Sequence, residues 1–268
     1  MTTSGGRIAS ARSGLEGEAA RIKRLLARAG RGRMFPRRLP AELGGCRFPA
    51  SLEGGAKFLR LQPHRFDPVL TQFAASTVTV GAVVWDIGAN VGLFTFAAAG
   101  LAGPTGRVVA VEPDIWLVAN LRRAASWNPS AAKVYVVPVA IADRIGISEF
   151  TVAQNNRAVS FLTAAIGSPV AGGVRERQLV PTLTLDSLAE TLPLPDVLKI
   201  DVEGAEDLVL AGADRVLEHR PKLLIETSDR TSPAIHRVLS AHGYGYVDAS
   251  TGRPCALPVF NTLAVHRG

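Results

Sequence analysis

Little in this chain speaks for a membrane, a metal or a disulfide framework. Its 268 residues contain two cysteines, Cys46 and Cys255, with no metal-ligand spacing around either. They read as free thiols in a reducing, cytoplasmic setting. The five histidines (His64, His219, His236, His242 and His266) are scattered and form no H-x-x-x-H pair, so no zinc signature is present. No apolar run approaches the roughly 20 residues a membrane helix needs, and residues 1–32 hold arginines but no apolar core of a signal peptide. Aromatics are scarce at 6% against 47% hydrophobic residues, so the core must be built mostly from aliphatic side chains, as in a soluble globular chain.

Acidic residues are scarce in one place only. Residues 1–65 contain 14 Lys/Arg against 4 Asp/Glu, while the remainder carries 16 against 19, so the net charge of +7 belongs to the N-terminal arm. A basic arm suits nucleic acid, anionic lipid or an acidic partner, but this one has no interleaved aromatics and reads more simply as a solvated, partly helical extension. Residues 1–13 are Gly/Ser/Arg-rich and read as disordered. Leu15, Ala19, Ile22, Leu25 and Leu26 recur at helical spacing with arginines opposite, and Gly30 ends that pattern. Residues 31–49, with three prolines, read as a linker. The expected division is therefore an extension, 1–65, and a body, 66–268.

The body is organised around Val83-Val84-Trp85-Asp86-Ile87-Gly88-Ala89-Asn90-Val91-Gly92. An apolar run ends in an acid, two glycines bracket a turn, and Leu93 onward continues as a helix. This is the opening unit of an α/β nucleotide-binding domain. A dinucleotide site wants G-x-G-x-x-G, because a pyrophosphate sits on the bare helix N-terminus. Here Asn90 and Leu93 stand where the second and third glycines belong, and Asp86 would repel phosphate. S-adenosylmethionine has no phosphate and carries a sulfonium and an ammonium, so the turn favours it over NAD.

A second apolar strand, Val108 to Val111, ends in Glu112, twenty residues beyond Gly92. A carboxylate there accepts hydrogen bonds from both ribose hydroxyls; capping the helix that starts near Asp114 is the competing role. Ile115 and Trp116 flank an adenine face, or Trp116 belongs to the core. After the third strand, Val134 to Val137, Asp143 is placed either beside the crevice, accepting from an adenine amino group, or as a turn acid before Arg144. The strand 145–152 pairs back with 178–183, and residues 154–176 form the longest irregular stretch of the body, a setting common for substrate loops.

Further on, Val197-Leu198-Lys199-Ile200-Asp201-Val202-Glu203 puts Lys199, Asp201 and Glu203 on one face of a strand ending at the crevice. Charges on a buried strand are costly unless paired or used, so they are either ligand-facing groups or a structural Lys199–Asp201 ion pair. A single helix is expected over 205–217. The terminal strands 244–247 and 261–266 suggest an antiparallel hairpin. Alternation of strand and helix predicts a doubly wound, mostly parallel sheet covered on both faces.

Val84 to Thr95, Val111-Glu112-Pro113, residues 140–146, Thr184 to Leu188, Leu198 to Glu206 and Leu224-Ile225-Glu226 together resemble the FkbM-type methyltransferases over residues 67–266. The resemblance implies a class I, Rossmann-like fold and an S-adenosylmethionine donor released as S-adenosylhomocysteine. It also implies a small-molecule hydroxyl acceptor such as a sugar or polyketide, with an RNA or protein acceptor as the less favoured alternative. Carried over by position, Asp86, Gly88, Asn90 and Gly92 hold the methionine end, Glu112 the ribose and Asp143 the adenine. Asp201 is the candidate general base for the hydroxyl, with Lys199 or Glu203 orienting it or binding the acceptor, and Glu226 a weaker alternative. Two competing classes are an NAD-type oxidoreductase on the same fold and a nucleic-acid- or membrane-tethered module using the basic arm.

Overall fold

The computed structural model describes residues 33–52, 58, 67–154, 157, 160–163 and 173–267. The amphipathic segment near 15–29 and the short strand suggested by residues 57–61 lie outside the described residues.

The expected linker is instead structured. β1 (Phe35–Arg38) and β2 (Arg47–Ala50) form an antiparallel hairpin around a single 3-10 turn at Ala41–Leu43. Its prolines fit because Pro36 and Pro49 face each other in a two-stranded ribbon, where a missing N–H is tolerated. Leu39 and Phe48 are buried and join the main core, and Asn128 clasps the Arg47 backbone, accepting from its N–H at 2.7 Å and donating to its carbonyl at 2.8 Å. Composition suggested a spacer; two buried apolar side chains make the segment part of the body.

α1 (Pro68–Thr77) starts on Asp67, whose carboxylate accepts from Leu70 N–H, with proline at the first helical position. The chain then alternates through β3 (Val83–Ile87), α2 (Leu93–Ala102), β4 (Arg107–Val111), α3 (Ile115–Ala125) and β5 (Lys133–Val137). A smaller unit follows: β6 (Ala140–Ile141), β7 (Gly146–Ala153), β8 (Phe161–Leu162) and β9 (Val174–Leu183). The return half comprises α4 (Leu185–Leu188), β10 (Val197–Ile200), α5 (Glu206–Leu210), α6 (Asp214–Glu218), β11 (Lys222–Glu226) and α7 (Ser232–Ala241). β12 (Tyr244–Asp248), β13 (Arg253–Cys255) and β14 (Asn261–His266) complete it.

Eight strands form one sheet in the order β13-β12-β14-β11-β10-β3-β4-β5, parallel from β11 through β5 and antiparallel around β14. Successive residues of each central strand feed opposite layers. Val84, Val108 and Ala110 pack with α1, α2 and α3, while Trp85, Ile87, Val109, Leu198 and Ile200 pack with α5, α6 and α7. This two-sided burial is why the parallel strands read as unbroken apolar runs. The expected antiparallel end is present, with β14 inserted between β11 and β12 and β13 added outside β12.

Two expectations are corrected. The single helix over 205–217 is two short helices, because Asp186 caps the second by accepting from Arg215 and Val216 N–H at 3.2 and 3.1 Å, while Gly212 turns the chain between them. The 147–152 and 178–183 strands do pair, with Ile147 opposite Pro181, but in a separate four-stranded sheet, β6-β9-β7-β8, over a small core of Phe150, Val152, Leu162 and Val180. β9 also begins at Val174, inside the stretch expected to be irregular.

Candidate active site

Parallel strands leave their carboxyl ends on one edge, and ligands of open α/β sheets bind there. The β3 turn folds toward β4: the N–H groups of Gly88 and Ala89 both donate to the Val111 carbonyl at 3.0 Å, and Asn90 N–H donates to Glu112 Oε2 at 2.8 Å. Asn90 adopts a left-handed φ of 53°, a conformation asparagine tolerates better than most residues. Gly88, at φ 77°, passes so close to the β10 turn that an added Cβ would overlap the Asp201 carbonyl oxygen. The two turns are thus packed backbone to backbone.

Glu112 accepts a second bond from Asp114 N–H at 2.9 Å. Burial pushes its carboxyl up to about 7, against the pull of those two N–H groups. Glu112, Gly88 and Asn90 line a cleft together with Ile141, Phe150 and Asp201. Glu203 and Arg157 also line it.

The buried charges beneath the turns form a chain. Asp86 and Lys199 are register partners on adjacent strands, and Lys199 Nζ lies 3.2 Å from Asp86 Oδ1 and 3.4 Å from Asp201 Oδ2. The same ammonium donates to the Gly88 carbonyl at 2.6 Å, and Thr95 Oγ1 donates to Asp86 Oδ2 at 2.5 Å. Burial alone would draw the Lys199 pKa down; the Asp86 and Asp201 carboxylates together hold it above the ordinary lysine range. For Asp86, burial pushes the carboxyl up, opposed by Lys199 and by the Thr95 hydroxyl.

These placements sort the sequence candidates. Gly88, Asn90, Glu112, Asp201 and Glu203 come together on the cleft. Asp86 is fully buried, so any effect it has on a ligand passes through Lys199 and the turn. Lys199 is only 3% exposed and spends its charge on Asp86, Asp201 and Gly88. Lys199 and Asp201 do share a face, whereas Glu203 lies beyond the strand at φ 56° in the turn. Gly92 is the left-handed residue that starts α2. Asp143 is exposed on the turn after β6, 3.7 Å from Arg144, and does not line the cleft. Val139, Ala140 and Ile141, which follow β5, line the cleft on that side. Trp116 is covered by the Arg157 guanidinium at 5.3 Å from its ring centroid. Sequence reasoning missed Arg157, Ser160 and Phe150. The alternation of β7 pointed to one buried face and so to Phe150, while Arg157 and Ser160 had no local signal.

A doubly wound sheet ordered this way, with an acid following β4 and the D-I-G-A-N-x-G turn after β3, is a Rossmann-like α/β architecture. The model for the methyltransferase FkbM domain matches residues 86–246, and the chain belongs to that family. It is an S-adenosylmethionine-dependent methyltransferase, and the dinucleotide oxidoreductase reading falls away. Comparison with curated proteins finds no match.

Among solved structures, the chain is similar to a methyltransferase FkbM from Methylobacillus flagellatus KT, at 16% identity and a TM-score of 0.47, covering 74% of this chain and 53% of that one. The chain therefore spans about half of that protein's length. It is also similar to a SAM-dependent O-methyltransferase from Thermotoga maritima (12% identity, TM-score 0.42, 77% and 66% of the two chains). A third similar structure is a tRNA (uracil-54, C5)-methyltransferase from Pyrococcus abyssi in complex with S-adenosylhomocysteine (11%, 0.43, 87% and 43%). Among the described residues no helix is long and apolar enough to cross a membrane, and no cluster of side chains is arranged to hold a metal.

The residues present fit the donor. Asn90 Oδ1 is buried without a hydrogen-bond partner among the described residues, an acceptor suited to an ammonium, and Glu112 presents a carboxylate suited to ribose hydroxyls. The cation nearest the turn, Lys199, is neutralised by two carboxylates.

Proposed function

We propose that the chain methylates a hydroxyl group of a small molecule, such as a sugar or polyketide, with Asp201 as general base. The observation that carries this reading is the position of Asp201 between two cavities. It lines the donor cleft and also a smaller pocket formed with Asp67, Leu70, Lys199, Leu224, Glu226 and Asn261. When bound, S-adenosylmethionine supplies an activated methyl group, so the protein is left to align the acceptor, exclude water and remove one proton. Lys199 holds the Asp201 carboxylate from below, while the side chain keeps 28% of its surface exposed. Asp201 then accepts the hydroxyl proton as the oxygen takes up the methyl group.

Glu226 is the poorer base. Burial, followed by the charges of Asp201, Glu203 and Glu206, pushes its carboxyl up to about 8, so it holds its proton at neutral pH. The Asp201 and Glu203 carboxylates on the cleft disfavour a phosphate backbone, which is drawn to lysine and arginine.

The test is transfer of a labelled methyl group from S-adenosylmethionine to a panel of sugars and polyketide alcohols, with amines and RNA as comparators. Label on an ether oxygen supports the reading; label only on nitrogen, carbon or RNA overturns it.

A further inference from the structure

Arg157, between β7 and β8 in sequence, contacts Asp114 at the start of α3. Its Nη1 donates to Asp114 Oδ2 at 2.5 Å, in a pair whose side chains are 8% and 0% exposed. Its Nη2 lies 3.5 Å from Glu176 Oε1, and its guanidinium sits over Trp116.

Asp114 is a junction. Its Oδ1 caps α3 by accepting from Trp116 N–H at 2.9 Å, and its own N–H donates to Glu112 Oε1. One residue therefore receives Arg157 on its side chain and holds Glu112 with its backbone. Arg157 also lines the donor cleft with Ser160 and Leu162, and Ser160 Oγ accepts from Ala153 N–H at the end of β7. A guanidinium left unpaired at this place would draw phosphate-bearing nucleotides; Asp114 cancels that charge.

We propose that Arg157 is a positioning residue for the nucleoside end of the methyl donor. Paired with Asp114, it fixes the corner between β4 and α3 so that Glu112 faces the ribose, and it walls the cleft without offering net positive charge. The inference rests on the reading of this cleft as the donor site and adds a residue from the second sheet to it. A buried ion pair stripped of one partner is strongly disfavoured, so the corner relaxes when the guanidinium is lost.

The experiment measures calorimetric Kd values of the full chain for S-adenosylhomocysteine and 5′-methylthioadenosine, which share the nucleoside but differ in the amino-acid end. Arg157→Gln is expected to weaken both by about tenfold or more and to similar extents, and Arg157→Lys, which keeps a cation for Asp114, to recover most of the loss. Should the glutamine variant fail to fold, Asp114→Asn keeps the helix cap and is expected to give the same loss for both ligands. Unchanged Kd values, or a lysine variant no better than glutamine, overturn the inference. A wild-type chain that binds neither ligand would instead overturn the donor-site reading itself.

Discussion

β3 and β10 lie side by side, and each ends in a turn made of similar ingredients. Both have an acid near the strand tip, a left-handed non-glycine residue (Asn90 at 53°, Glu203 at 56°) and a left-handed glycine within two residues of it. The acids, however, do opposite work. Asp86 sits within its strand, opposite Lys199, and is sealed beneath the turn; Asp201 follows the last residue of β10 and emerges into the cleft. Lys199 touches both. A shift of two residues relative to the strand end separates a sealed carboxylate from one that lines the cleft, although both motifs look equally chemical when read as text.

The largest expected effect separates these roles. Asp201→Asn removes a proton acceptor while preserving shape, and turnover is expected to fall by a factor of ~10²–10⁴ with S-adenosylhomocysteine affinity nearly unchanged. Calorimetry alongside the labelled-methyl assay checks this; retained turnover would put the base elsewhere. On the other side of the comparison, Lys199→Met strands Asp86 in the interior and is expected to cost about 3–5 kcal/mol of stability, read from denaturant unfolding. A companion change, Asp86→Leu with Lys199→Met, is expected to return much of it. A loss below about 1 kcal/mol in the single variant would mean that the pair is not what holds the two strand tips together.

A smaller effect concerns Glu112, whose carboxyl burial raises from 4.5 to about 7. The raised value means that its contribution to the fold is fully present below pH 4.5 and is lost as pH climbs through 7. Donor binding runs the other way, because the ionised carboxylate is the better acceptor for two ribose hydroxyls. The charged neighbours acting on this group are Asp114 and Lys199. Affinity for S-adenosylhomocysteine is expected to rise by about tenfold between pH 6 and pH 8, following the ionised fraction, and Glu112→Gln is expected to flatten that profile.

The sheet was legible because its central strands are apolar on both faces and each ends in turn chemistry. The β3 turn and Glu112 were legible for the same reason: an acid or glycine in an aliphatic run is hard to explain by packing. What escaped needed contacts between distant segments. The hairpin of β1 and β2 looks like a linker until Leu39 and Phe48 find the helices they cover. The break at Gly212 depends on Asp186, some thirty residues from the N–H groups it caps. Asp143 follows the right strand, but β6 and the turn after it carry it outward. Arg157 matters only because the second sheet brings it to Asp114, 43 positions away.

The smallest effect sharpens the comparison at its acidic end. Glu226 shares the smaller pocket with Asp201, and its carboxyl is pushed up from 4.5 to about 8 by burial and then by Asp201, Glu203 and Glu206. A raised carboxyl favours the fold while protonated, so the wild type loses this contribution as pH rises from 4.5 through 8. Glu226→Gln is neutral at every pH and keeps it. The variant should therefore match the wild type at pH 5 and exceed it at pH 9 by about 1 kcal/mol, a value reduced because the group is partly exposed and screened, or roughly 2–4 °C in Tm. Turnover below pH 8 should change little, since an amide replaces an acid that was already uncharged. If turnover instead collapses at pH 7 while Asp201→Asn is active, the two acids exchange roles, and the β11 tip rather than the β10 turn carries the base.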